Sequence, residues 1–124
     1  MGFKKKNVIT EIPIRFSCEV ENDDGTYTER AVCTHWFKRP TPAMRERLVE
    51  AYLGGKKKVS VSNEIFKFWE RCILRVEGYD DLEEGQSLSE YFQDPMVRDH
   101  VDAVVGLLIS KLTVEEEEAE KKFE

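Results

Sequence analysis

Between Ile12 and Val20 the chain sets an apolar side chain at every second position. Ile12, Ile14, Phe16, Cys18 and Val20 alternate with Pro13, Arg15, Ser17 and Glu19. Period two over this length reads as a half-buried strand. Pro13 has no N–H to give a ladder, so this is an edge strand or its paired face lies elsewhere. Asn22-Asp23-Asp24-Gly25 follows as a turn. A second strand is expected from about Tyr27 to Lys38, with Ala31, Cys33, His35 and Phe37 on one side. Val32 and Trp36 take the other side, so that face needs cover too, from a helix or a partner. The two runs predict a β-hairpin.

The pattern then changes to a helical period. Thr41 is a good N-cap, and Pro42 at the first helical position loses no needed donor. Met44, Leu48, Ala51 and Tyr52 share one arc of this helix, which Gly54-Gly55 stops. Lys56 to Ser62 reads as a loop, with a short strand at Val59 to Val61. A second helix is expected from about Asn63 to Val76. Its apolar arc of roughly 160° carries Ile65, Phe66, Phe68, Trp69, Cys72, Ile73 and Val76. Glu77 to Leu88 is a polar connection. Ser87 and Glu90 form a capping box before a short helix, Leu88 to Gln93. Asp94-Pro95 starts the last helix, with Val97, Val101, Val104, Val105, Leu108 and Leu112 on its core face. Leu107 and Ile109 widen that face beyond what packing on one core requires. Glu115 to Glu118 is expected to fray. The reading is therefore one α+β domain over residues 1–114 and an acidic tail over 115–124. A hairpin or small antiparallel sheet packs with three to four helices.

A chain of 124 residues and 40% hydrophobic composition can close one ordinary core without staples. It carries 19 basic and 25 acidic residues, a net charge of −6. That balance disfavours nucleic acid, which needs clustered cations to displace counterions from phosphates. The runs at Lys4 to Lys6 and Lys56 to Lys58 read as solvated tail and loop. An odd count of three cysteines, with no signal peptide, suits a reducing cytoplasm. The most apolar stretch, Ala103 to Ile109, is far shorter than a membrane span.

Candidate chemistry is sparse. Cys33 and His35 face one way on a regular strand and Cys18 lies across the hairpin. Zinc wants three or four ligands, and no C-x-x-C or H-x-x-x-H supplies them. The plainer reading is two small core thiols and a satisfied polar neighbour. Asp80 to Gly85 is acidic, but Leu82 breaks the calcium-loop pattern. His100 reads as a rim histidine, with Asp99 about 100° away round the helix. Cys72 sits on an apolar helix face, where a thiol is inert packing. Gly54-Gly55-Lys56 lacks the flanking residues of a phosphate loop. Carboxylates occur in charge-rich runs that suit solvated surface better than acid–base work. No catalytic residue, metal site or cofactor is expected. Trp69 belongs to the core helix. Trp36 shares its face with Arg30, Thr34 and Lys38, where an exposed Trp would be a binding hot spot. Apolar surface beyond a simple core marks association. The candidate partner-binding residues are Trp36, Leu107, Ile109 and Leu112, serving a homo-oligomer or a partner protein.

The order of elements resembles the tail assembly chaperones of long-tailed phages and prophages, the lambda-type protein encoded just before the tape measure protein. A strand pair ends at Trp36-Phe37, and Thr41 to Leu53 gives an early charged helix. Phe66 to Val76 leads into Glu77-Gly78-Tyr79-Asp80-Asp81, an apolar helix running into an acidic Gly-aromatic turn. Glu84-Gly85-Gln86-Ser87-Leu88, Ser89 to Phe92, Asp94-Pro95 and a C-terminal helix follow. The resemblance covers about residues 9–114, with Tyr79 where the family often has Trp. It implies a non-catalytic role in the bacterial host cytoplasm. Such proteins coat the tape measure protein until tail tube subunits polymerise around it, and many have a longer frameshifted form. No binding residue is carried over from the family. The rival reading is a small bacterial adaptor or regulatory domain bound through the Trp36 face.

Overall fold

A computed structural model describes residues 10–26, 29–54 and 58–121. Tyr27, the Lys4 to Lys6 run, Gly55 to Lys57 and Lys122 to Glu124 lie outside the described residues. The elements are β1 (Glu11–Val20), β2 (Glu29–Lys38), α1 (Pro42–Leu53), α2 (Lys58–Cys72), β3 (Ile73–Glu77), α3 (Leu88–Tyr91) and α4 (Pro95–Lys121). The three strands form one antiparallel sheet in the order β1-β2-β3, and the fold is α+β.

The hairpin follows from its alternation. Ile12 pairs with Phe37, Ile14 with His35 and Phe16 with Cys33, so the dry residues of both strands meet on one face. Pro13 stands on the edge strand, as its missing donor requires. Gly25 takes a left-handed φ of 87° to close the turn, where a Cβ would be strained. Thr41 caps α1 by accepting a hydrogen bond from the Met44 N–H. Ser87 does the same for the Glu90 N–H before α3, and Asp94 for the Met96 N–H before α4.

Two expectations fail in the middle of the chain. Helix α2 begins at Lys58, so the loop and strand read between Lys56 and Ser62 are not found at the described positions. The same helix ends at Cys72, and Ile73 to Glu77 form a third strand with no intervening loop. Trp69, Cys72, Ile73 and Val76 recur at three- and four-residue steps, so helical periodicity extended the helix too far. Pairing with β2 satisfies the backbone of this segment instead. The strand carries a bulge. Trp36 opposes Arg75 but Phe37 opposes Ile73, which leaves Leu74 unpaired and 42% exposed. One extra residue inverts the alternation. Ile73 and Val76, three apart, can thus both pack on the core.

The sheet's dry face is covered mainly by α2 and α4. Trp69, Phe37, Phe92, Val101, Val104, Val105 and Leu108 are wholly buried there. Burying one such side chain contributes about 1.5–3 kcal/mol. The aromatic cluster around His35 is the centre of this core, with Phe92 5.2 Å and Trp69 6.1 Å away by ring centroids. Arg98 links α4 to α2. Its guanidinium lies 4.0 Å from the Phe66 ring and donates to the Ser62 carbonyl at 3.1 Å. Helix α4 runs through Lys121, across the Glu115 to Glu118 stretch. Glu115 pairs with Arg39 at 3.2 Å, and Glu116 pairs with Arg45 of α1. No helix among the described residues is long and apolar enough to cross a membrane.

Candidate functional site

The polar residues singled out by sequence converge in the core. The Trp69 indole N–H donates to His35 Nδ1 at 3.1 Å, and an indole nitrogen can only donate. His35 Nδ1 is therefore unprotonated, and the neutral ring carries its hydrogen on Nε2. That N–H donates to the Tyr79 oxygen at 2.6 Å. The Tyr79 hydroxyl is then free to donate to His100 Nδ1 at 3.0 Å. The four side chains make one directed chain from the core to the edge of α4. Burial, with a smaller repulsion that protonation of His100 would add, drives the His35 pKa down to about 3. A second proton on Nδ1 would also face the indole N–H, donor against donor. Burial likewise lowers His100, against a smaller opposing pull from Asp99. Burial holds the Tyr79 phenol protonated far above its ordinary range.

Gly78 makes this chain possible. Its φ is +91°, and a Cβ there would lie 2.4 Å from the Val32 carbonyl oxygen. Only glycine lets the chain turn this close beneath β2 and send Tyr79 inward. The Gly78 carbonyl accepts a long contact from the Cys33 thiol at 3.7 Å. Sequence reading named His35, His100 and Trp69 separately and missed Tyr79 as their link. The Gly78-Tyr79 pair directly after the Ile73–Glu77 segment was the available signal.

This arrangement gives the thiols and imidazoles structural work. Both His35 nitrogens are engaged. Burial raises the Cys33 thiol and pushes Cys72 up to about 11, which leaves both protonated and unreactive at neutral pH. Among the described residues, no three His, Cys, Asp or Glu are placed to hold a metal ion. The Asp80 to Gly85 connection is an acidic turn. Gln86 bonds back to Glu83, and Tyr91 donates its hydroxyl hydrogen to Asp81.

The proposed partner-binding residues fall in four different places. Leu112 is 3% exposed and belongs to the core, so it offers no surface. Leu107 is 45% exposed, and Ile109 is half-buried. These two sit about 200° apart round the helix and cannot form one patch. Leu107 instead lines up with Met96 and Val114, at eleven- and seven-residue steps along the outer side of α4. Met96 is 84% exposed and Val114 52%. Trp36 is half-buried beneath its own chain. The Arg75 guanidinium stacks 4.4 Å from its ring centroid, and its indole N–H donates to Glu77 at 3.1 Å. Val32, on the same outer face of the sheet, is 61% exposed.

Ile109 points to a feature that the sequence did not disclose. It lines a groove of about 470 Å³ between α1 and the second half of α4, with Val49 and Thr113 also on the walls. The two helices run antiparallel. Arg45 meets Glu116 at one end, and at the other burial, with a smaller push from Asp102, raises the Tyr52 phenol. Val49 is 43% exposed, and Tyr52 and Leu53 beyond it are open to solvent. Polar rim residues are Arg45, Glu46, Glu50 and Glu116. The groove pairs apolar walls with an acidic rim, which suits noncovalent capture of another chain.

Compared with known proteins, the chain matches no family model, no curated protein and no solved structure.

Proposed function

We propose that this protein is a phage tail assembly chaperone, a non-catalytic binder of the tape measure protein during tail morphogenesis in the host cytoplasm. The observation that carries the reading is apolar helix surface left over after the core has closed. Met96, Leu107 and Val114 on α4 and Val49 and Leu53 on α1 face solvent, while the core beneath them is filled. Surface of this kind costs solubility unless a partner uses it. A long amphipathic helix is such a partner, since its anchors at i, i+3, i+4 and i+7 fit grooves and stripes between helices. The net charge of −6 keeps the loaded complex dispersed. The exposed stripe of α4 also supports self-association of the free protein.

Co-expression with the tape measure protein tests this reading. The expected result is a tape measure protein that stays in the soluble fraction and co-purifies with this chain. A client that remains insoluble, or that elutes alone, contradicts it. The adaptor reading draws on one observation, the exposed Val32 beside Trp36 on the open sheet face. It predicts that Val32→Glu, and no helix-surface change, abolishes partner capture.

A further inference from the structure

We propose that the groove between α1 and α4 is the docking site for a basic amphipathic helix, seated with its apolar side on Val49 and Ile109 and its cations toward Glu46 and Glu50. The inference rests on the chaperone reading for the identity of the client, and on the groove alone for the client's chemistry.

Shape comes first. The walls are two antiparallel helices whose backbone groups are already bonded within each helix. An extended strand finds no ladder there, whereas a helix needs none. The α1 wall runs from Pro42 to Glu50, about 12 Å or just over two helical turns at about 1.5 Å per residue. Two successive anchors of a docking helix fit that length. Its apolar contacts are already half-formed, because Ile109 also packs against the core and cannot swing away.

Charge then selects the sign. Three carboxylates and one guanidinium line the groove. Arg45 is committed to Glu116, and the exposed Glu46 and Glu50 make no ion pair among the described residues. Beyond the groove the end of α4 carries Glu117, Glu118 and Glu120 against Lys121, all exposed. Glu50 also borders the hollow between α1 and α2, where Arg47, Lys67 and Arg71 stand with Glu64, but none of those three cations lines the groove. An acidic helix entering the groove meets uncompensated like charge. A helix flanked by Lys or Arg is drawn in, and more strongly at low salt.

The test uses two fluorescent 18-residue helical peptides with Leu at the same i, i+3, i+4 and i+7 positions. One carries Lys on its polar face and the other Glu. Binding to the full chain is read by anisotropy across a salt series. The Leu/Lys peptide is expected to bind, weakening as salt rises, and the Leu/Glu peptide at least tenfold more weakly. Val49→Glu is expected to lower Leu/Lys affinity at least tenfold. That change adds an attractive charge, so the loss isolates the apolar contact. Val49 is exposed in the free protein, and an unchanged melting curve checks that the variant folds. The double variant Glu46→Lys/Glu50→Lys is expected to lower affinity at least tenfold and flatten the salt dependence. Glu84→Lys, on the connection between β3 and α3, is the single-charge control and should change affinity less than threefold. Equal binding of both peptides, or full binding by Val49→Glu, overturns the proposal. A tape measure protein that Val49→Glu solubilises as well as wild type removes the groove and leaves the chaperone. Groove-dependent peptide binding beside an insoluble tape measure protein supports the groove and removes the phage client.

Discussion

His35 sits in the centre of the core because each of its nitrogens has a fixed partner, and those partners dictate its charge. The indole of Trp69 can only donate, so His35 must accept on Nδ1 and stay neutral. Its pKa near 3 lies well below the 6.5 of an unfolded imidazole. The unfolded chain therefore binds the extra proton between those values, and stability rises with pH there. The contribution is complete above about pH 6.5 and is lost as pH falls toward 3, at about 1.4 kcal/mol per pH unit. His100 acts in the same direction. Urea denaturation at pH 7, 6 and 5 should show falling midpoints, and imidazole nitrogen shifts should report Nε2–H tautomers for both rings. A His35 protonated on Nδ1 at neutral pH contradicts the chain. Gly78 is the second residue on which the core turns. Gly78→Ala combines a left-handed φ with a 2.4 Å approach to the Val32 oxygen. Its expected cost is about 2–4 kcal/mol, read by the same denaturation. A change under 1 kcal/mol means that the turn can relax.

At the scale of elements, local chemistry was legible wherever it had one solution. The alternation of Ile12 to Val20 and of Ala31 to Phe37 assigned both strand faces as they pair. Thr41-Pro42, Ser87 with Glu90, and Asp94-Pro95 marked three helix starts because a side-chain oxygen must meet an orphan N–H there. The boundary between α2 and β3 was illegible for the opposite reason. Ile73 and Val76 satisfy a helical period after Cys72, and they satisfy a strand once a bulge is allowed at Leu74. Only pairing with β2, remote in sequence, decides between them. The reach of α4 was hidden in the same way, since its acidic end finds Arg39 and Arg45 only in the folded chain. Of the candidate surface, Leu107 was readable as apolar excess. The groove was not, because Val49 and Ile109 are single residues on helices whose juxtaposition no periodicity encodes. Leu112 was assigned to the surface and the core at once, and the core holds it.

The whole molecule is a closed α+β core that carries spare apolar helix surface and a net charge of −6. Self-association through the outer stripe of α4 predicts a light-scattering mass above the 14.5 kDa of one chain. Leu107→Glu should return the protein to a single-chain mass without lowering its melting temperature, since that side chain is half exposed. A wild-type protein that is monomeric at all concentrations rules out the self-association. The central claim is that the molecule works by covering another chain's helix with its own. Hydrogen–deuterium exchange of the protein, free and in complex with the tape measure protein, tests that claim most directly. The account predicts slowed exchange in α1 and in α4 beyond Val105, with β1 and β2 unchanged. Protection confined to β2 and β3 around Val32 and Trp36, or no protection anywhere, would contradict it.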